Sequence, residues 1–449
     1  MRVSTFTLVW ALILSFGTTA WSQQETPPNY PWRISDSKAP TAIAPLPPAS
    51  QASHSSVRFF GNQEKQDGTG AAKGLSNQVP EAPQNPLSNP QDQRPALNTT
   101  SNATDPDYGN QQRPSSWCRI GEIERIFGTT RRGANVGGFV QAGYHDFNLP
   151  YMNTRSDRVN VHQVWGFIDR PAERTSAWSF GYRVDAVYGF DGQEIQSIGN
   201  PPAGAPSGWD NGWDNGSYGS ALPQAYVEMA NCDTKIRMGR FLSPFGVEQV
   251  PSAENFFYSR TYTRFYTEPF GHTGVIANFD ASPNLTMISG LTAGWNTGFD
   301  NNQHGFNYIG GFRYQPTCKM SLSVTNSIGD TGYRGSGVLQ SAIVRYEVSE
   351  KLSYVLSGDY LNLQSNDEFG IVQYLFYKVN PCLSFGTRME WWKSDQLFTS
   401  TRSTWDFTSG INYRPHANIV IRPEMRMDYG AAALDSGRMI PAIDAVFLF

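Results

Sequence analysis

The sequence predicts an all-β chain, a transmembrane antiparallel β-barrel of about sixteen strands, preceded by a signal peptide and a disordered N-terminal segment. Three observations lead there. Apolar and charged residues alternate with period two over much of the 449 residues, the spacing that sends successive side chains to opposite faces of a strand. A turn pattern recurs along the same stretch: an aromatic, five polar or turn-forming residues, then an aliphatic. No run of about 18 apolar residues follows the N-terminal segment, so the mature chain has no transmembrane helix. It is either secreted and soluble or a closed barrel, the other structure that satisfies its backbone in lipid.

Composition agrees. Gly 42 and 13% aromatics favour strands and turns over helices. A formal net charge of −4 at this length argues against a nucleic-acid surface. Mean hydropathy is −0.44, and the one continuously apolar run is N-terminal. Arg2, the run Phe6 to Phe16 and the small-x-small site Ala20-Trp21-Ser22 read as a secretory signal peptide over 1–22. No Cys follows that cut, which disfavours a lipoprotein anchor.

Residues 23–116 are rich in Pro, Gln, Asn and Ser, bury too little apolar surface to order, and read as disordered. Within them, Gly68 to Gly74 superficially has the look of a phosphate loop, but it follows no strand and carries no such function. Residues 117–135 form a lead-in, with Trp117, Ile120, Ile123 and Phe127 at the spacing of one short amphipathic helix. Strand texture then runs over 136–449.

The strands can be read one by one. Ile419, Ile421, Pro423, Met425, Met427 and Tyr429 oppose Arg422, Glu424, Arg426 and Asp428. Leu383, Phe385, Thr387, Met389 and Trp391 oppose Arg388 and Glu390, and Trp178, Phe180, Tyr182, Val184 and Tyr188 oppose Arg183 and Asp185. A soluble sandwich also alternates, with its apolar faces meeting in a core, so the turns have to decide. They run Phe279 to Leu285, Tyr314 to Met320, Tyr346 to Leu352, Tyr377 to Leu383 and Tyr413 to Ile419, with a weaker copy at Met229 to Ile236 and a longer turn at Asp169 to Ala177. Between them lies room for two strands of about ten residues and a loop, the outer-membrane arrangement. The aromatic beside each turn suits the membrane interface. The chain ends Phe447-Leu448-Phe449, and a terminal Phe on an outward aromatic row resembles the signal read by the outer-membrane barrel assembly machinery.

The passage Gly239-Arg240-Phe241-Leu242-Ser243-Pro244-Phe245-Gly246-Val247-Glu248, followed by Glu254 to Arg260 and Glu268 to Gly274, resembles the OmpL-like putative β-barrel porin family. In texture the likeness spans about Gly137 to Phe449. It implies an outer-membrane diffusion channel for small hydrophilic solutes and ions, trimeric by analogy, with no catalytic site, cofactor or metal. The third outer loop, Ser243 to His272, would then narrow the pore with Glu248, Glu254, Arg260, Arg264 and Glu268. The pore lining would be Arg183, Asp185, Arg237, Arg345, Glu347, Arg388, Glu390, Arg422, Glu424, Arg426, Asp428, Arg438 and Asp444, a mixture of signs that indicates no strong ion selectivity.

Two other classes stay open. An outer-membrane barrel hydrolase would use His145 or His162, which need a nucleophile or acid placed against them; the plainer reading is histidines of the rim. A soluble secreted adhesin or lectin would use the tandem Trp209-Asp-Asn-Gly212 and Trp213-Asp-Asn-Gly216, which otherwise are turns. Cysteines 232, 318 and 382 fall in alternate short turns, roughly 20 Å apart around the rim by strand spacing. They should pack at turn edges without linking to one another, and Cys118 alone could reach one of them.

Overall fold

The protein is described here from a computed structural model covering residue 130 and residues 133–149, 151–198, 209–300, 303–364, 366–395, 402–430 and 436–449. The expectations for 1–22, 23–116, the helix from Trp117 to Phe127, and Cys118 lie outside the described residues.

Period-two alternation becomes sixteen strands: β1 (Asn135–His145), β2 (Val159–Arg170), β3 (Ser179–Gly189), β4 (Gly219–Ala230), β5 (Thr234–Leu242), β6 (Gly271–Ser282), β7 (Leu285–Thr292) and β8 (Phe306–Thr317). They continue as β9 (Met320–Asp330), β10 (Ser336–Glu347), β11 (Leu352–Leu363), β12 (Asn366–Asn380), β13 (Leu383–Ser394), β14 (Arg402–His416), β15 (Ile419–Gly430) and β16 (Met439–Leu448). Each pairs antiparallel with its sequence neighbours, and β16 returns to β1, closing the barrel. At the seam the Phe449 amide donates to the Gly138 carbonyl and the Gly138 amide to the Phe449 carbonyl, both at 2.9 Å. Closure leaves no unpaired strand edge. Among the described residues no helix is long and apolar enough to cross a membrane.

The five turns with the aromatic-to-aliphatic pattern, the weaker copy at Met229 to Ile236 and the longer turn at Asp169 to Ala177 all fall between paired strands, and the five are tighter than the pattern. Strand pairing continues past the aromatic through irregularities such as Tyr314/Thr317, Lys378/Asn380 and Tyr413/His416. The other rim carries the connections that include the first loop (146–158), second loop (190–218), third loop (243–270) and fourth loop (293–305).

Apolar residues face outward. On β3, Phe180, Tyr182, Val184 and Tyr188 are exposed while Arg183, Asp185 and Val187 are buried. On β15, Met425 and Tyr429 are exposed while Arg422, Glu424, Arg426 and Asp428 are buried. A soluble sandwich would hide the first set and show the second, so the inversion identifies a lipid-facing wall. Two bulges re-aim side chains. Opposite Gln141/Ala142, His162 has no partner of its own in the ladder, so His162 and Gln163 both turn inward. On β4 the extra residue falls at Leu222-Pro223, where a proline's missing N–H costs the ladder least.

Cys232 and Cys318 are free and exposed, and Cys382 is buried and disulfide-bonded. None of the three turn cysteines therefore links to another, as the strand spacing requires. Packing at the turn edge describes Cys382 alone, because the turns holding Cys232 and Cys318 present them to solvent.

Candidate functional site: the third loop inside the barrel

The third loop leaves β5 and folds against the inner wall. Apart from a short 3-10 turn (Ser252–Glu254) and a π turn (Thr263–Thr267) it is irregular, so most of its amides and carbonyls lack partners within the loop. Buried main-chain groups need partners, and the wall provides them. The Glu424 carboxylate accepts from the amides of Tyr258 and Ser259 at 2.8 and 3.0 Å. Glu390 accepts from the amides of Tyr262 and Thr263 at 2.8 and 2.7 Å and from the Thr263 hydroxyl at 2.6 Å. Glu248, on the loop itself, takes the Thr261 amide at 2.9 Å.

Arginines serve the carbonyls. Arg422 donates to Ser252 and Asn255 at 2.8 and 2.6 Å, Arg388 to Ser259 at 2.9 Å, and Arg426 to Arg260 at 2.5 Å. Gln163 brackets the entry, donating to the Val250 carbonyl at 3.2 Å and accepting from the Ser252 amide at 3.0 Å. Asp428 accepts from the Tyr262 hydroxyl at 2.8 Å, and Asp444 pairs with Arg422.

The wall is also shaped for the loop. A Cβ on inward-facing Gly386 would overlap the Phe256 ring, and one on Gly143 would stand 2.6 Å from the Tyr258 ring. Around Tyr262 an aromatic cluster joins three elements: Tyr151 of the first loop stacks on Phe265 at 4.1 Å, and Tyr262 stacks on Trp392 of β13 at 5.8 Å.

The five residues expected to narrow the pore part company. Glu248 is ion-paired with Arg388 at 2.9 Å. Arg264 pairs with Glu268 at 3.0 Å and lies over the Phe270 ring. Glu254 is half-buried in the 3-10 turn, near Arg183 and Asp185. Arg260 is 3% exposed, and its Nη1 has no hydrogen-bond partner.

The ladder expected to line the pore also divides. Arg183, paired with Asp185 at 2.7 Å, and Arg237, paired with Glu228 at 3.1 Å, face inward, as do Arg345 and Glu347 nearer the short turns. Arg388, Glu390, Arg422, Glu424, Arg426, Asp428 and Asp444 also face inward, yet they are buried under the loop and bonded within its seat. Arg438 is a correction. It precedes β16 and sits 3.6 Å from Asp146 of the first loop, at the long-loop rim rather than on a strand of the wall.

His145 and His162 are buried inside the barrel, since the bulge at His162 and the strand phase at His145 turn both inward. His162 bridges Asp191 of the second loop (Nδ1 to Oδ1, 2.7 Å) and the Tyr258 hydroxyl (2.6 Å from Nε2). Asp191 and Tyr258 carry no local motif, and the bulge at His162 leaves no mark in the sequence, so nothing local pointed to this cluster. In the tandem Trp-Asp-Asn-Gly, Asp210 accepts from the Ser197 and Leu222 amides and Asp214 from Gln196 and Ser220, as turn residues do.

Glu194, on a one-turn helix α1 (Gly192–Ile195), joins the first two loops by accepting from the Met152 amide at 2.9 and 2.8 Å. Burial, reinforced by Asp191, pushes its carboxyl up to about 8 from 4.5. Between those values the unfolded carboxyl has lost its proton and the folded one has not. The contribution is therefore full below about pH 4.5 and falls as pH rises toward 8.

Two predictions follow from this geometry. Glu390→Ala strands three buried donors at about 1 kcal/mol or more each. It should destabilise the barrel by on the order of 3 kcal/mol in urea unfolding and speed amide exchange over 258–263; unchanged exchange there would contradict the seat. First-loop amides should exchange faster at pH 8 than at pH 5 after correction for intrinsic rates, and Glu194→Gln should flatten that difference.

The family model described as "Putative beta-barrel porin-2, OmpL-like" matches residues 133–443. Solved structures of similar outline include the outer membrane channel DcaP of Acinetobacter baumannii (12% identity, 72% of this chain and 99% of that chain, TM-score 0.48). They also include the outer-membrane expressed OmpT of Vibrio cholerae (9% identity, 71% and 98%, TM-score 0.46) and a mutant Rh. blastica porin (11% identity, 70% and 100%, TM-score 0.45). None of the curated proteins matches the chain. With the matched region spanning the sixteen-stranded wall and most of the chain, the chain belongs to the OmpL-like family of β-barrel porins.

Proposed function

We propose that the chain is a passive diffusion channel for small hydrophilic solutes and ions, exported by residues 1–22, folded by the barrel assembly machinery and working as a homotrimer without catalysis. The observation that carries this reading is the third loop held along the inner wall by main-chain hydrogen bonds, inside a barrel whose apolar face points outward. A loop fixed there narrows the lumen, and ions in a narrow passage respond strongly to nearby charge. Glu248, Glu254, Arg260, Arg264 and Glu268 form that constriction, and the paired ladder gives it a mixed field.

The Asp191–His162–Tyr258 cluster serves positioning in this reading. Both imidazole nitrogens are engaged and the phenol is buried against Gly143, so it ties the third loop to β2 and to the second loop.

Reconstituted protein should give stepwise, ohmic conductance in planar bilayers; a folded, heat-modifiable barrel without steps would end the channel reading. Arg260→Ala with Arg264→Ala should move the reversal potential toward cation preference, and Glu254→Ala with Glu268→Ala toward anion preference. If neither moves, the loop does not set the constriction. Burial pushes the Glu254 carboxyl up to about 7. It gains charge as pH rises from 6 to 8, so cation preference should grow across that window and Glu254→Gln should remove the Glu254 share of the change.

A further inference from the structure

Most arginines of the inner wall face a carboxylate within ion-pairing distance, among them Arg183, Arg237, Arg388, Arg422 and Arg426. Among the described residues, Arg313 on β8 and Arg345 on β10 have no carboxylate within that distance. The charges around Arg313 are Arg237 and Arg345, both repulsive. The one carboxylate acting on Arg345 is Glu347, two residues along the same strand, and it makes no ion pair with it.

Strand phase turns both arginines inward. Arg313 shares its face with buried Asn307 and Ile309 while Tyr308 and Tyr314 are exposed, and Arg345 shares its face with Leu339, Ser341 and Ile343. They flank β9, with Arg313 directly opposite Ser323 and Arg345 directly opposite Ser321. Two strand spacings separate the arginines, on the order of 10 Å across the wall, within joint reach of two long side chains. Arg345 is exposed and Arg313, Ser321 and Ser323 are partly buried, so solvent reaches all four.

We propose that Arg313 and Arg345, with the hydroxyls of Ser321 and Ser323 between them, form a binding site for a small oxyanion, a carboxylate or a phosphate, on the short-turn half of the lumen. The site offers donors of the kind such an anion needs. Guanidinium forks match the paired oxygens of carboxylate and phosphate, and charge-assisted hydrogen bonds are the stronger class. Two cations that repel each other are relieved by an anion between them, whereas a cation there would be repelled by both guanidiniums. In use, the site would draw anionic solutes into the lumen from the short-turn side. That use rests on the channel reading, but the binding itself does not.

The test is calorimetric titration of the full chain, refolded in detergent, with inorganic phosphate and separately with sodium acetate at constant ionic strength. Wild type should bind one or both saturably, and the bound anion should raise the heat-unfolding midpoint. Arg313→Gln with Arg345→Gln should weaken binding at least tenfold and abolish the midpoint shift, and Arg313→Lys with Arg345→Lys should fall between. Failure of wild type to saturate with either anion, or equal binding by the double glutamine variant, overturns the site. Should the glutamine variant not fold, Ser321→Ala with Ser323→Ala and the lysine pair decide, since wild-type affinity in both overturns it equally. Conductance steps judge the channel reading separately.

Discussion

An irregular segment inside a barrel must find a partner for every main-chain group it buries, and the architecture of this protein follows from meeting that requirement. The third loop has too little regular structure to satisfy itself. The wall therefore carries carboxylates where the loop shows amides, at Tyr258, Ser259, Tyr262 and Thr263, and guanidiniums where it shows carbonyls, at Ser252, Asn255, Ser259 and Arg260. An unsatisfied buried group costs about 1–3 kcal/mol, so a loop with this many groups could not stay inside an apolar wall.

The charges that hold the loop are themselves held. Arg388 lies between Glu248 and Asp406, Arg426 between Asp406 and Asp428, and Arg422 against Asp444. Buried ion pairs contribute little net stability, because desolvation offsets their attraction. Their contribution here is location. Each arginine is oriented by a carboxylate on its own or the neighbouring strand and donates to the loop main chain, Arg388 and Arg426 to one carbonyl each and Arg422 to two. The Gly386 and Gly143 positions add shape to charge, since neither Phe256 nor Tyr258 could lie where it does against a side chain.

The wall was legible in the sequence and its contents were not, for one physical reason. Strand phase and turns are local: Arg422, Glu424, Arg426 and Asp428 declare a common face within one strand, and Tyr413 to Ile419 declares a reversal. What covers that face is decided by residues more than a hundred positions away, as Tyr262 meets Glu390 and Tyr258 meets Glu424. The ladder could therefore be assigned to the inside but not recognised as a seat. His162 shows the same limit, because a bulge changes strand phase without a local signature. Arg313 was passed over because the stretch from Phe306 to Tyr314 carries one charge among glycines and aromatics, and a single charge sets no pattern.

Once the seat is understood, the interior charges fall into two kinds. Those with partners, on β13 to β16 and on β3, have their hydrogen-bonding capacity committed to the loop or to each other and have little left for a passing solute. Among the described arginines of the wall, Arg313 and Arg345 have no ion-pair partner; they keep that capacity and lie away from the seat, flanking the inward serines of β9. A barrel that needed charge only for solubility would scatter it. Here the paired charges sit where a coil must be fixed, and two of the same sign without a carboxylate partner sit together where solvent can enter, which separates the charges that hold the loop from those left open to solvent.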